Sequence, residues 1–118
     1  MDIRIGELNP SLDAWLAGLE ASSGVFVSAA NPASRPLPDD ENEVRHAFLC
    51  REMKELDYPI FQGAAVADAG DWPVEVGLLV LQVSEARARA LGRDYDQNAV
   101  VWVALGEAPR LLWCLKPE

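Results

Sequence analysis

The sequence has little of the chemistry from which most catalytic and metal-binding sites are built. Its 118 residues include one histidine, His46, and two cysteines, Cys50 and Cys114. Zinc sites need several histidine, cysteine or carboxylate ligands, and neither a CxxC nor an HExxH pattern occurs. We therefore expect no metal and no cofactor. Both cysteines are predicted to be buried free thiols, because free cysteine behaves as a small hydrophobe.

Motifs for nucleophilic catalysis and for phosphate binding are absent as well. The sequence contains no GxSxG around a serine nucleophile, and its eight glycines are too scattered for GxGxxG or GxxxxGK[ST]. A lone histidine with no serine to activate is more typical of a packing or surface residue of a helix than of a catalyst. The acidic run 39–41 lacks the spacing of a calcium loop, which favours a solvated helix start.

Positive charge and long apolar runs are scarce too. Ten basic residues against nineteen acidic ones give a formal net charge of −9, which argues against binding to a nucleic-acid backbone. No apolar run approaches the roughly 18 residues of a membrane helix, and "MDIRIGELNP" lacks the basic start and apolar core of a signal peptide. We expect a cytoplasmic protein with no membrane contact. The acidic cluster 39–43 leaves open a role as an inhibitor that presents carboxylates to a basic partner.

What the sequence does contain is an alternation of strand and helix patterns. The predicted helices follow the caps Ser11, Asp39 or Asp40, and Ser84, and the predicted strands are "MDIRIGE", "VFVSAA", "YPIFQGAAVAD", "EVGLLVLQV", "QNAVVWVALG" and "RLLWCL". Because the later strands come in pairs joined by turns, we predict one α+β domain over residues 1–118. Its single mixed, mostly antiparallel sheet has about five or six strands packed by two or three helices.

The apolar residues indicate which parts of these elements are buried. "EVGLLVLQV" is almost continuously apolar, which predicts burial on both faces. Trp15, Trp102 and Trp113 fall at predicted core positions, whereas Trp72 lies in a turn, where it covers the end of the core or stacks on a ligand. The central helix has one face of residues at three- and four-residue steps, namely His46, Leu49, Cys50, Met53 and Leu56, broadened by Val44 and Phe48.

Uncharged polar residues collect at the ends of the predicted elements. They are Asn31, Ser34, Asn42, Gln97 and Asn98, together with Glu75 at the start of the strongest strand. Side-chain amides in such places commonly make turn or cap hydrogen bonds. The functional alternative is a polar pocket that recognises a small ligand by hydrogen bonds. Both interpretations stay open at the level of sequence.

These segments resemble the bacterial family DUF3293, a domain of unknown function, almost from end to end. The similar stretches are "IRIGELNPSL", "FVSAANPASRPLPDDEN", "WPVEVGLLVLQVS" and "ARALGRDYDQNAVVWV". The resemblance implies no established activity. It marks as candidate site residues Asn31, Pro32, Ser34, Asn42, Glu75, Gln97 and Asn98. The chain departs from the family pattern at Gly77, where Ser is common, and at Tyr95-Asp96, where Phe-Gly is common.

Two function hypotheses follow from this set. The first is a non-catalytic domain that binds an unknown small molecule or protein through Asn31, Asn42, Glu75, Gln97 and their neighbours. The second is a small hydrolase or transferase acting on a nucleotide-like metabolite, with Glu75 as general acid or base and His46 assisting. A homodimer is a further expectation, because "RLLWCL" could lie at an exposed sheet edge and pair between chains.

Overall fold

A computed structural model describes residues 2–66 and 74–115 of the chain. Within these ranges, the chain forms three helices and five strands. They are α1 Pro10–Gly18, β1 Ser23–Val27, α2 Asp39–Glu55, β2 Ile60–Ala65, β3 Glu75–Leu81, α3 Glu85–Asp94, β4 Ala99–Ala104 and β5 Arg110–Trp113, with a 3-10 turn at Pro32–Ser34. None of the described helices combines the length and apolar character needed to cross a membrane.

The five strands form one sheet in the order β2-β3-β1-β4-β5, and every neighbouring pair is antiparallel. The predicted α+β class is confirmed, and the sheet is antiparallel throughout rather than mixed. The predicted hairpin of β4 and β5 is also confirmed. β1 lies at the centre of the sheet, so the residues that follow it leave from the middle of one sheet end.

The predicted first strand is wrong. Ile3 and Ile5 lie in an irregular segment, which turns at Gly6 with a φ of +82°. The Gly6 amide donates to the carbonyl oxygen of Pro109 at 2.8 Å, beside the β4–β5 turn. Two alternating isoleucines are too short a pattern to compete with a turn at glycine.

Helices cover both faces of the sheet, which creates two cores. The larger core lies between the sheet and helices α2 and α3, where Leu49, Met53 and Leu91 are fully buried. On the opposite face, Leu12 and Leu16 of α1 complete a smaller core. β3 contributes to both, with Leu78 and Val80 in the first and Leu79 and Leu81 in the second. Its predicted burial on both faces is therefore confirmed.

The helix starts differ from the sequence prediction in two of three cases. Ser84 caps α3 as predicted, since its Oγ accepts from the Arg87 amide at 3.1 Å. In α1 the cap is Asn9, whose Oδ1 accepts from the Leu12 amide at 3.0 Å, because Pro10 already occupies the first helical position. α2 has Pro38 at its N-cap, and Asp39 and Asp40 lie within the first turn, where acids favour the helix dipole.

Burial of the large apolar side chains corrects several predictions. Trp102 is buried as predicted, but Trp113 is 63% exposed, since it alternates with Leu112 and Cys114, which face the larger core, and therefore points to the opposite side of β5. Trp15 is half-buried, with its ring edge-on to Phe61 at 4.8 Å between centroids. The apolar face of α2 is narrower than predicted, because the exposed set includes Val44, Phe48 and Leu56.

A glycine pair in neighbouring strands leaves room for an aromatic ring. Gly63 of β2 and Gly77 of β3 are cross-strand partners. The Phe26 ring lies against both, and a Cβ added at Gly77 would approach its Cζ and the Val27 carbonyl oxygen to 2.6 Å. Glycine weakens a strand interior, but here an aromatic ring covers the exposed backbone. Any larger residue at position 77 would therefore need both the Phe26 ring and the Val27 backbone to move.

Candidate functional site

The candidate polar residues meet at one end of the sheet. β1 ends there at Val27, and the chain then runs through the 3-10 turn into α2. β3 begins at the same end with Glu75, and so does β4 after the turn that carries Gln97 and Asn98. Antiparallel neighbours place the end of one strand beside the start of the next, which is why residues distant in sequence converge here.

Asn31 is the centre of a hydrogen-bonded group that we call the asparagine network: Asn31, Asn42, Glu75 and the backbone of Leu37. Asn31 is 4% exposed. Its Nδ2 donates to Glu75 Oε2 at 2.7 Å, and its Oδ1 accepts from Asn42 Nδ2 and from the Leu37 amide, both at 2.9 Å. Asn42 Oδ1 accepts in turn from the Asn31 amide at 3.0 Å. The two asparagines are thus paired reciprocally.

The backbone around this network adopts unfavourable conformations. The φ angles are +47° at Asn31, +52° at Ala33, +61° at Ser34 and +57° at Asp96. Asparagine and aspartate tolerate this left-handed region better than most residues, because their short polar side chains can form local hydrogen bonds. The alanine side chain can form none. Residues held in such conformations cost about 1–3 kcal/mol each and persist only where surrounding contacts impose them.

Contacts between the 3-10 turn and the α3–β4 turn supply that constraint. The Ala33 amide donates to the Asp96 carbonyl oxygen at 2.5 Å. Beside it, Asn98 Nδ2 donates to Ser34 Oγ at 3.0 Å. Two of the candidate residues therefore join the same pair of turns.

Gln97 satisfies backbone groups at the end of β1. It is 9% exposed, and its Nε2 donates to the carbonyl oxygens of Ala30 and Tyr95 at 3.0 and 3.1 Å. An amide that donates to two buried carbonyls offsets the cost of leaving them unpaired. Gln97 thus ties the α3–β4 turn to the chain just before Asn31.

Sequence reasoning missed Arg45 and Ser28, which complete this end of the sheet. Arg45 donates from Nε to the Ala29 carbonyl at 2.5 Å and from Nη2 to the Tyr95 carbonyl at 2.8 Å. Ser28 Oγ donates to the Val76 carbonyl at 2.9 Å and accepts from the Ala30 amide at 3.0 Å. Neither residue carries a local sequence signal, because their partners are backbone carbonyls of distant segments.

Tyr95 connects the α3–β4 turn to the larger core. It is buried, and its hydroxyl donates to Glu52 Oε1 of α2 at 3.0 Å. Burial raises the pKa of Tyr95 well above its ordinary value, and the hydrogen bond to the Glu52 carboxylate raises it further. The Tyr95 hydroxyl therefore links the end of α3 to α2.

His46 makes its contacts elsewhere. It lies one helical turn after Asn42 on α2, and its Nε2 is 2.8 Å from Gln62 Oε1 of β2 and 3.4 Å from Cys50 Sγ. Trp72 lies outside the described residues. Across residues 2–66 and 74–115, no three histidine, cysteine, aspartate or glutamate side chains are grouped as a metal ion would require.

Beside the asparagine network, the surface forms an open hollow of about 450 Å³. Its lining combines apolar, acidic and basic side chains from the loop and the first turns of α2, namely Leu37, Asp40, Glu41, Val44 and Arg45. Leu37 and Arg45 also belong to the hydrogen-bonded framework described above. The network therefore fixes one wall of this hollow.

The fold and this end of the sheet define a small α+β protein with one antiparallel sheet and a loop locked by side-chain amides. The chain belongs to the DUF3293 family, described as a protein of unknown function, whose sequence model matches residues 27–100. That span runs from the end of β1 into β4 and contains the whole asparagine network. Searches of curated proteins and of solved structures found no match.

Proposed function

We propose that this chain is a non-catalytic binding domain and that it recognises a protein segment through the surface beside the asparagine network. The surface, which we call the loop–helix surface, comprises Leu37, Asp40, Glu41, Val44 and Phe48. The observation that carries the proposal is the exposure of Val44 and Phe48, which are 70% and 55% accessible on successive turns of α2. Apolar side chains spaced by four residues on one helix form a continuous strip.

The asparagine network supports this proposal because it makes the surface rigid before any partner arrives. Leu37 is held through its amide by Asn31 Oδ1, and Arg45 is held by two backbone carbonyls. A preorganised surface loses little conformational entropy on binding. The strained φ angles at Asn31, Ala33 and Ser34 agree with this view, since such strain is concentrated at functional positions.

Charge indicates the chemistry of the partner. Asp40 and Glu41 lie in the hollow, and Asp39 and Glu43 flank them on the first turns of α2. With a net charge of −9, the chain attracts basic partners over long distances. The proposed partner segment therefore carries apolar side chains for the Val44–Phe48 strip and lysine or arginine for the acids.

A small polar ligand in the network itself has less support. Asn31 and Asn42 use their side-chain amides on each other, on Leu37 and on Glu75. A ligand that broke these bonds would have to supply new partners for the buried polar groups. Each group left unpaired would cost about 1–3 kcal/mol.

The hydrolase or transferase alternative rests on a single contact. Asn31 Nδ2 orients the Glu75 carboxylate at 2.7 Å, as a substrate-facing acid or base would need. Under this alternative, Glu75→Gln abolishes turnover of nucleotide-like or amide substrates while binding persists. Turnover that survives Glu75→Gln would eliminate it.

The test of the binding function is a peptide-display selection against the wild-type chain, followed by affinity measurements on the double variant Val44→Ser/Phe48→Ser. We expect the selected peptides to combine basic and apolar residues, to bind the double variant at least tenfold more weakly, and to weaken as salt rises. Val66→Ser is the matched control, because Val66 is 71% exposed and is not among the residues that line this hollow. Peptides that bind the double variant as tightly as the wild type would refute the proposal.

A further inference from the structure

The outer edge of β5 carries backbone groups that point away from the sheet. β5 is one of the two edge strands and pairs with β4 alone. The Cys114 amide donates to the Asn98 carbonyl oxygen at 2.8 Å, which extends the β4–β5 ladder by one residue pair. Because hydrogen-bonded and non-hydrogen-bonded pairs alternate along an antiparallel ladder, Leu112 bonds to β4, whereas the N–H and C=O groups of Leu111 and Trp113 point outwards. Across residues 2–66 and 74–115, these four groups have no hydrogen-bond partner.

The side chains at the same two positions are apolar and exposed. Trp113 is 63% exposed and Leu111 is 40% exposed, on the face of the sheet opposite the larger core. On that face α1 packs over β3 and Val103, and it leaves β5 uncovered. The cross-strand partners in β4 are Ala99 and Val101, so the strip is apolar on both strands. An apolar strip beside an open row of backbone donors and acceptors is the arrangement that pairs with another strand.

Neighbouring contacts limit an added strand to these two positions. Pro109, on the same outer edge, has no N–H, and its carbonyl oxygen accepts from the Gly6 amide at 2.8 Å. At the other end, the Leu115 amide turns back towards the Asn98 carbonyl oxygen at 3.4 Å. An added strand therefore finds two donors and two acceptors between these ends.

We propose that β5 pairs with β5 of a second copy of this chain, so that the protein is a two-fold symmetric dimer in solution. The two strands run antiparallel, with Leu112 at the symmetry axis. Leu111 of each copy then lies opposite Trp113 of the other, and each such pair exchanges an N–H···O bond in both directions. The Leu111 and Trp113 side chains share one face, so each pair also packs across the new ladder.

A second copy fits this edge because its open groups have the same number and spacing. Two-fold antiparallel pairing brings every donor opposite an acceptor and leaves none of the four groups unused. The dimer has β2 at both of its outer edges. The middle of β2 contains Gly63 and Ala64, which are residue types depleted in strands, so we expect assembly to stop at two chains.

Sedimentation equilibrium of the whole chain, from about 10 µM to about 1 mM, tests the association. A single strand pair forms a small interface, for which weak affinity is the rule. We expect a monomer–dimer equilibrium that tightens as salt rises, because each copy carries a net charge of −9 and salt screens the repulsion. A monomer at every concentration, or assemblies that grow beyond two chains, would overturn the proposal.

Two variants locate the interface on β5. Trp113→Ser removes the largest side chain of the strip, and Leu111→Pro removes an outward N–H without breaking a bond to β4. Each should weaken dimerisation at least tenfold. Val66→Ser is the matched control, because Val66 is 71% exposed and directly follows the other edge strand. Wild-type dimerisation by both β5 variants would refute the assignment.

Amide hydrogen exchange of the wild type, resolved by residue with NMR, tests the register without any substitution. The Leu111 and Trp113 amides should exchange several-fold more slowly at about 1 mM than at about 10 µM, because dimerisation protects them. The Leu112 amide, which bonds to β4 in either state, should be protected at both concentrations. Exchange of Leu111 and Trp113 that does not change with concentration would contradict the pairing.

Discussion

The asparagine network and the cluster formed by His46 and Cys50 of α2 with Gln62 of β2 lie one helical turn apart on α2, at Asn42 and His46, yet their bonding differs. In the network, the amides of Asn31 and Asn42 are saturated by bonds within the protein. In the cluster around Cys50, His46 Nδ1 lacks a partner within the described ranges, and an exposed glutamine of the edge strand supplies the bonds to the imidazole and to the sulfur. Saturation of buried groups indicates that the network stabilises the fold, whereas bonds to an exposed side chain of an edge strand contribute little to it.

The largest expected effect comes from removing the centre of the network. Asn31→Ala removes a hydrogen bond to the Glu75 carboxylate, the acceptor of the Leu37 amide and the pair with Asn42, and it places alanine at a φ of +47°. We expect the free energy of unfolding to fall by about 3 kcal/mol. Urea denaturation measures this loss.

Asn31→Gly is the matched control for the backbone part of that effect. Glycine keeps the left-handed conformation without strain, so this variant should be less destabilising than Asn31→Ala by about 1 kcal/mol. A loss below about 1 kcal/mol for Asn31→Ala would show that the network contributes little to folding.

A smaller effect is expected at Tyr95, which joins the two turns to α2. Tyr95→Phe removes the hydrogen bond to Glu52 and should cost about 1 kcal/mol at neutral pH. Because the folded-state pKa of Tyr95 is raised, the unfolded chain ionises first as pH rises through about 10. The stability contributed by Tyr95 is therefore present below that pH and falls above it.

The pH dependence gives the readout specific to this residue. Unfolding free energies measured from pH 9 to 11 should decline more steeply for the wild type than for Tyr95→Phe. Tyr58→Phe, on a second, half-buried tyrosine, is the control for the loss of a tyrosine hydroxyl. Parallel curves for the wild type and Tyr95→Phe would contradict the assignment of Tyr95.

Replacing Asp96 by glycine is expected to stabilise the protein, unlike the two substitutions above. Its φ is +57°, and its contribution to the framework is a backbone carbonyl that accepts from Ala33. Asp96→Gly relieves strain while keeping that bond, so we expect the protein to gain about 0.5–1 kcal/mol of stability. Arg89→Gly, at an exposed position in the middle of α3, should instead lose about the same amount. Thermal denaturation of both variants decides whether strain at this turn is real.

Much of the fold could be predicted from local patterns, but the site could not. The α+β class, the helix start at Ser84 and the two-sided burial of β3 depend on residues close in sequence. The exposure of Trp113 depends on which face of β5 the core covers, which follows from strand order and helix packing. Strand order is set by pairings between distant segments, and local periodicity carries no information about it.

The candidate site residues also divide into features that are visible in the sequence and features that depend on distant pairings. Asn31, Asn42 and Glu75 were recognisable as polar residues at element ends, but their mutual bonds join positions 44 residues apart. His46 and Cys50 share a helix face in the sequence, whereas Gln62 comes from another element. The contacts of Gln62 with His46 and Cys50 therefore arise only when β2 packs beside α2, and they cannot be read from the sequence.

The most direct test of the account compares Asn42→Ala with Gln62→Ala in urea denaturation. Asn42→Ala breaks the reciprocal amide pair and should lower the free energy of unfolding by about 2 kcal/mol. Gln62→Ala, on an exposed side chain of the edge strand, should change it by less than about 0.5 kcal/mol. This result would establish that one cluster stabilises the fold and the other does not. Equal losses for the two variants would contradict it.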